Sequence, residues 1–423
     1  MVKFQSVKGM NDIAPEQCIV WQYMEQICRT VLHNYHFQEI RFPIVENSNL
    51  FKRSVGAGTD IVEKEMFTFE DKLNGDSLTL RPEGTASCVR ACINLGLLHH
   101  QQQKLWYVGP MFRHERPQKG RYRQFHQLGV EHFGVVTPDA DIELLALCDR
   151  LWRQLDIKSI VRLEINCLGS YEERAAYRHE LVTFYESQAE KLDEDSQRRL
   201  HKNPLRILDS KNAEMIALNK QAPKLLDHLG EDSKNHFAKL CEGLKRLGIS
   251  FIVNPCLVRG IDYYNMTVFE WITNELGAQG TICAGGRYDG LVEQLGGQPC
   301  PAIGFAMGFE RIELLLKNKL TLAQSADIYL VLVGETAEFV GVTVAEKIRD
   351  ALPGLRLQMN VGGGSFKSQF KRADKSGATY ALVLGDDEVA ADKITVKYLR
   401  EDKPQVMMTI DEVVKLYCAR SQI

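Results

Sequence analysis

The chain has 423 residues, 44% hydrophobic and 25% charged, which is an ordinary soluble composition and too long for one growing core, so two or three domains are expected. A formal net charge of −3 with a pI near 6.4 excludes a wholesale basic coat for nucleic acid and leaves room only for focal basic patches. Eleven cysteines, an odd number without a repeated CxxC pair, argue for free thiols in a reducing compartment and against a disulfide framework or a protein-bound zinc.

The N-terminus, Met1-Val2-Lys3-Phe4-Gln5, shows no apolar run ahead of a small-residue cleavage site, and no apolar stretch reaches the ~18 residues a membrane span needs. A cytoplasmic protein without a membrane partner is expected. Residues 16–36 carry Val20, Tyr23, Met24, Ile27, Val31 and Leu32 at helical spacing, and the chain then turns extended from Glu39 to Glu46. Pro43 inside that run predicts an edge strand or an interface, where its missing N–H does no harm. Met66-Phe67-Thr68-Phe69 and Ser77-Leu78-Thr79-Leu80 alternate on either side of Asn74-Gly75, which predicts a hairpin. A second antiparallel pair is expected from 104–112 and 121–133. The loop between them sets Arg113, Arg116, Lys119, Arg121 and Arg123 against the single Glu115, a density of cations that suits phosphate groups and that a packed core does not tolerate unpaired. The first 135 residues therefore predict an antiparallel sheet with flanking helices, capped at one end by this cluster.

From 171 to 250 the text is rich in Glu, Lys, Gln, Leu and His and poor in strand formers, which predicts an inserted helical module. Strand-like text resumes at Ser250-Phe251-Ile252-Val253 and again from Leu257 to Glu270. Then come Ala284-Gly285-Gly286-Arg287-Tyr288-Asp289, the run Ile303 to Arg311, and a helix to about Leu316. Glycines this dense beside arginines mark tight turns or backbone held close to a ligand. A domain boundary is expected near 318–326. Beyond it, strands at 327–333, 356–359 and 380–384 alternate with helices at 336–350 and 365–376, the pattern of a small α/β unit with parallel pairing. A charged hairpin around Glu401-Asp402-Lys403 and a helix from about Asp411 complete the chain. The domain plan is 1–170 and 251–320 for an α+β domain, 171–250 for a helical insertion, and 326–423 for the α/β domain.

Three arginine-bearing segments stand out: the loop 113–123, Arg259 with Tyr263 and Tyr264, and Arg311 at a helix start. Several guanidinium groups gathered on one site suit a polyphosphate and stabilise the charge that develops when a phosphorus centre is attacked. Strand periodicity puts Phe125, Gln127 and Glu131 on one face, looking into a common cavity in which an amide and a carboxylate can clamp an ammonium or a ring N–H. Gly362-Gly363-Gly364-Ser365 lacks the ending of a phosphate-binding P-loop and reads as a turn with a helix cap. Lys367, Lys371, Arg372 and Lys375 follow at 3- and 4-residue spacing, a basic face that suits a macromolecular contact.

On these residues the chain resembles the class II aminoacyl-tRNA synthetases, and among them the bacterial histidyl-tRNA synthetases, over essentially its full length. Three class motifs carry the resemblance: the helix and strand ending at Pro43; Phe112-Arg113-His114-Glu115 with its loop and return strand; and Gly304 to Gly308 followed by Glu310-Arg311. Leu257-Val258-Arg259-Gly260-Ile261-Asp262-Tyr263-Tyr264 and Ala284 to Asp289 look like the family's paired histidine-specific signatures. The resemblance implies an α+β catalytic domain with a helical insertion and a C-terminal α/β anticodon-binding domain. It implies ATP-dependent attachment of L-histidine to tRNA(His) by a homodimer, with ATP and Mg2+ as the only cofactors. By resemblance, Arg113 meets the α-phosphate of ATP, Arg311 and Arg121 hold the γ-phosphate, and Glu115 and Phe125 position adenine. The resemblance makes Arg259 and Arg113 the catalytic arginines, and has Glu83, Thr85, Gln127, Glu131, Arg259, Tyr263 and Tyr264 receive histidine. Arg116 and Gln118 fall in the loop that meets the tRNA acceptor end, and Lys367, Lys371, Arg372 and Lys375 lie in the anticodon-binding domain. Regulatory subunits of histidine biosynthesis share this fold but typically lack the terminal domain and the full arginine set, both of which this chain has.

Overall fold

The computed structural model describes residues 3–56, 58–317 and 325–420, and the chain forms two compact units that part between residues 321 and 322. Most of the expected boundary at 318–326 lies outside the described residues.

The first unit is built on an eight-stranded sheet. In spatial order its strands are Gln38–Glu39, Gln103–Phe112, Gln124–Phe133, Ala302–Gly308, Thr281–Arg287, Asn265–Thr273, Val161–Cys167 and Phe251–Val253. The six central strands pair antiparallel, while the two short outer ones add parallel. Alternation along the strands sorts the two faces. Trp106, Leu128, Val130 and Phe305 face a core shared with the helices Pro15–Asn34 and Asp139–Gln154. Their neighbours Leu105, Tyr107, Met111 and Phe133 face the other way, toward the helix Thr85–Asn94 and the helical segment. The helix Pro15–Asn34 starts with Pro15 at its first turn, where the absent N–H is harmless.

The predicted hairpin forms: Phe67–Glu70 pairs with Ser77–Leu80, and Gly75 takes the left-handed turn conformation at φ 79°. Val45–Asn47 joins as a third strand, so the extended run around Pro43 is divided between two sheets. Helices Tyr171–Glu186, Glu194–Arg199, Leu205–Leu208, Ala213–Asn219 and Glu231–Arg246 occupy the segment with the helical text. One expectation is corrected. Residues 257–264, which read as strand, form an irregular segment, and the strand begins only at Asn265. Their polar groups are met by side chains from elsewhere: Asn166 Nδ2, for example, donates to Leu257 O at 3.0 Å.

The second unit carries a five-stranded sheet ordered Leu357–Met359, Ile328–Val333, Tyr380–Gly385, Ile394–Tyr398, Val406–Met408. The first three strands are parallel, and the charged hairpin adds the last two antiparallel. Helices Glu335–Ala351 and Ile410–Arg420 pack on one face, and Phe366–Lys375 on the other. Gly362, Gly363 and Gly364 all have positive φ, a run that side-chain-bearing residues resist, and Ser365 then caps the helix by accepting from Ser368 N.

Candidate active site

Stretches distant in sequence meet on the sheet face opposite the long helices. There the chain encloses a cavity of about 340 Å3, within the range of small-molecule sites. Arg113, Arg121, Arg259 and Arg311 all line it, together with Glu83, Thr85, Glu115, Phe125, Gln127, Tyr263 and Tyr264.

The return strand Gln124–Phe133 brings Phe125 beneath Arg113, whose guanidinium carbon stands 5.3 Å from the ring centroid while Nε donates to Pro82 O at 2.9 Å. Arg121 pairs with Glu115 and lies 3.9 Å from Glu65. Arg311, in the first turn of Phe309–Leu316, donates to Gly120 O and to Gln279 Oε1, both at 3.1 Å, and also to Thr281 O. It thereby ties the basic loop to the neighbouring strand. Burial pulls the Arg311 pKa down to about 10, and the nearby Arg121 and Arg113 add to the fall. Burial likewise lowers Arg113 and Arg121. Arg259 behaves differently: burial is the largest influence and opposes its charge, but Glu270, Tyr264, Asp209 and Tyr263 together outweigh it and its pKa rises. Within this lining Arg311 donates only to neutral oxygens and Arg113 stands 4.0 Å from the Glu115 carboxylate, so guanidinium groups remain available to an anionic ligand.

At the other end, Glu83 accepts from the N–H groups of Thr85 and Ala86 at 2.7 and 2.9 Å, and burial nevertheless pushes its pKa up. Of the buried side-chain polar atoms without a protein partner among the described residues, two belong to the cavity lining: Arg259 Nε, a donor, and Gln127 Oε1, an acceptor. Buried polar groups are almost always hydrogen-bonded, so this pair within one cavity suits a ligand that offers an acceptor to the one and a donor to the other.

The placement of Glu131 differs from expectation. It does not line the cavity but lies beneath its floor, because Thr85 Oγ1 and Tyr107 OH, each at 2.9 Å, and Tyr288 OH at 2.5 Å already hold its carboxylate. Burial, against the pull of these hydroxyls, raises its pKa to about 8. Arg116 and Gln118 are exposed on the basic loop, outside the lining, where Gln118 and Arg121 close a backbone bridge. Lys367, Lys371 and Lys375 are exposed on their helix, whereas Arg372 is spent on the glycine turn, donating to Asn360 Oδ1 at 2.7 Å and Gly363 O at 2.6 Å.

The sequence reading missed Glu270, which pairs with Arg259, and Tyr107 and Tyr288, which hold Glu131. Tyr288 had a signal, since it belongs to the second signature. Arg287 beside it is buried in a different place, bonded to Asp141 and to the carbonyls of Val135 and Thr137, and holds the fold rather than a ligand. The helical segment also contributes Arg206, Asp209 and Lys211 to the lining, and nothing distinguished these from the many other charges of that stretch. Among the described residues, no group of three or more His, Cys, Asp or Glu side chains could hold a metal ion, and no helix is long and apolar enough to cross a membrane.

Comparison with known proteins points to one family. The histidyl-tRNA synthetase family model matches residues 9–312 and the anticodon-binding-domain model residues 327–417. A histidine–tRNA ligase of Hydrogenovibrio crunogenus is 58% identical over 416 residues, spanning 98% of this chain and 97% of the relative. The apo structure of S. aureus histidyl-tRNA synthetase superposes with a TM-score of 0.81 at 34% identity, covering 99% of this chain and 100% of that one. A structure described as an ATP phosphoribosyltransferase regulatory subunit/histidyl-tRNA synthetase from Bacillus halodurans shares the fold, with a TM-score of 0.64 at 22% identity, covering 91% of this chain and 100% of that one.

Proposed function

The chain belongs to the histidyl-tRNA synthetase family, and from that premise we propose how its own side chains carry the family's reaction. That reaction is ATP-dependent formation of histidyl-adenylate followed by transfer of the histidyl group to tRNA(His), with release of diphosphate and then AMP.

ATP lies along the arginines of the basic loop and Arg311. Arg113 meets the α-phosphate, Arg121 and Arg311 the γ-phosphate, and Phe125 and Glu115 the adenine. Burial chiefly, and repulsion between the neighbouring arginines after it, lower these guanidinium pKa values, and a bound triphosphate would relieve the repulsion, which supports this placement. Mg2+ brought in with ATP would offset part of the triphosphate charge. Of the lining carboxylates, Glu115 and Glu270 are engaged with Arg121 and Arg259, and Glu310 accepts from His126 N, so these three would offer at most a supplementary oxygen.

Histidine lies at the opposite end, its ammonium and carboxylate held by Glu83, Thr85 and Gln127 and its ring by Tyr263, Tyr264 and the Glu131 network behind Thr85. Its carboxylate attacks the α-phosphorus in line, an O–P bond forms as the bond to diphosphate breaks, and no protein base is required. Rate then comes from placement and from charge that is stronger on the transition state than on the ground state. Arg259 supplies that charge at the α-phosphate. The terminal ribose hydroxyl of tRNA then attacks the acyl carbonyl and AMP leaves. Arg116 and Gln118, exposed on the loop beside the cavity, meet the acceptor end, and Lys367, Lys371 and Lys375 meet the tRNA backbone at the terminal domain.

We place the enzyme in the cytoplasm as a homodimer formed through the helix and strand around Pro43. Exposed Ile44, Val45 and Phe69 on and beside the three-stranded sheet support that surface. We keep the domain limits 1–170 with 251–320, 171–250 and 326–423.

The observation that carries the reading is the unpaired Arg259 Nε and Gln127 Oε1 inside one arginine-lined cavity. The test is histidine-dependent exchange of pyrophosphate into ATP. We expect exchange with histidine and with no other amino acid, and a fall of about 100-fold or more in Arg259→His with unchanged thermal unfolding. Exchange at the parental rate in that variant would remove Arg259 from the role. A chain that binds histidine without exchange would be a regulator rather than the enzyme.

A further inference from the structure

The irregular segment that carries Arg259, Tyr263 and Tyr264 has no strand ladder of its own, and its backbone groups are met from two sides. On one side, Asp262 N donates to the carbonyl of Val55, just past the helix Ser48–Ser54, at 3.1 Å, and Asn166, on the strand Val161–Cys167, donates to Leu257 O. On the other side the donors come from the helical module. Tyr171 OH reaches Tyr263 O at 3.4 Å, Arg174 donates to Tyr264 O, and Asn203 Nδ2 donates to Asp262 Oδ1 at 2.9 Å. The Arg206 guanidinium presses on Gly260, where an added Cβ would lie 2.9 Å from Nη1. Consecutive parts of the segment are thus gripped by two separate stretches of the module.

We propose that Arg174, seconded by Asn203, is a positioning residue for adenylate formation: through the carbonyl of Tyr264 and the carboxylate of Asp262, the helical module sets the segment on which Arg259 and the two tyrosines stand. Arg174 is suited to this. Its guanidinium stacks on Tyr171 at 4.8 Å and is fixed in direction, so it acts as a rigid bracket. Two residues further on, Met266 sits at φ 46°, a conformation that side-chain-bearing residues rarely adopt and that persists only where the surroundings over-determine it. Removing a bracket beside strained backbone lets the segment relax, and the side chains it carries move with it. The inference rests on the reading that Tyr263 and Tyr264 receive histidine.

The experiment measures histidine-dependent pyrophosphate exchange by the full chain in Arg174→Ala, Arg174→Lys, Asn203→Ala, Tyr264→Phe and the double variant Arg174→Ala/Tyr264→Phe. Misplacement by about 1 Å lowers rate by about 10- to 100-fold, so Arg174→Ala should lose that much in kcat/KM, with histidine KM raised and ATP KM near parental. Arg174→Lys should recover part of the loss, and Asn203→Ala should show a smaller one of the same kind. If Arg174 acts through the segment, the losses from Arg174→Ala and Tyr264→Phe do not multiply in the double variant. Multiplying losses, or parental kinetics in both Arg174→Ala and Asn203→Ala, would overturn the proposal. Should Arg174→Ala fail to fold, Asn203→Ala and Arg174→Lys decide it. A parental histidine KM in Tyr264→Phe would instead sink the underlying assignment of Tyr264, a result distinguishable from either.

Discussion

Glu131 shows how a single buried side chain couples the site to pH. Its folded pKa of about 8 stands far above the ordinary carboxylate value, chiefly through burial and despite three hydroxyl donors. Between the unfolded value near 4.5 and the folded value near 8, the folded chain holds a proton that the unfolded chain has released, so stability must fall as pH rises through that window. The contribution is fully present below the unfolded value and is lost by the time the pH passes the folded one. One such proton is worth at most about 1.4 kcal/mol per pH unit. Buried Glu83, also raised, acts in the same direction, so the parental profile alone does not isolate Glu131. We therefore predict that the difference in unfolding free energy between the parent and Glu131→Gln changes steadily from pH 5 to pH 8 and levels off above that. Urea unfolding at four or five pH values would show it, and parallel profiles would mean that Glu131 does not titrate there.

At the scale of elements, the position of Glu131 is made by glycines. Tyr107 lies opposite Gly129 in the register between Gln103–Phe112 and Gln124–Phe133, and Glu131 lies opposite Gly304 in the next pair. A Cβ on Gly129 would strike the Tyr107 ring, and one on Gly304 would strike the Glu131 carboxylate and crowd Val130 O at 2.6 Å. These strands give up side chains at the places where larger neighbours must lie flat across them to reach one another. Gly304→Ala should therefore cost about 1–3 kcal/mol by overpacking and raise the histidine KM well above its effect on the ATP KM. Equal effects on both substrates would show that the strand moves as a whole. The same contrast explains what the sequence disclosed. Period-2 alternation exposed the paired strands and 3.6-residue spacing the long helix, because those patterns come from burial on one face. The segment 257–264 misled because its apolar and aromatic residues imitate a strand, while its backbone bonds go to side chains far away in sequence. Arg113, Arg259 and Arg311 could be found because cations among glycines are conspicuous. Glu270, Tyr107 and the Arg174 bracket could not, because each is defined only by what it touches.

The molecule as a whole bears a net charge of −3, so a polyanion as large as tRNA is drawn by local patches against a weakly repelling body. One patch is in the terminal unit, where Lys367, Lys371 and Lys375 are exposed at four-residue intervals on the helix Phe366–Lys375. Arg372 belongs to the same helix but not to the same role, since it braces the glycine turn through Asn360 and Gly363. Cations that only neutralise phosphates release counterions, and each one lost reduces the dependence of binding on salt by about one unit of the log–log slope. Replacing all three lysines by alanine should thus weaken tRNA charging at low salt and reduce the slope against salt by up to about 3, with pyrophosphate exchange at the parental rate. Arg372→Ala should behave otherwise, lowering the unfolding midpoint by releasing the turn. Charging assays from low to moderate salt on both variants would separate the two. A parental slope in the triple-lysine variant would move the tRNA contact to another face, and a shared loss of stability would mean that the lysines, too, hold the fold.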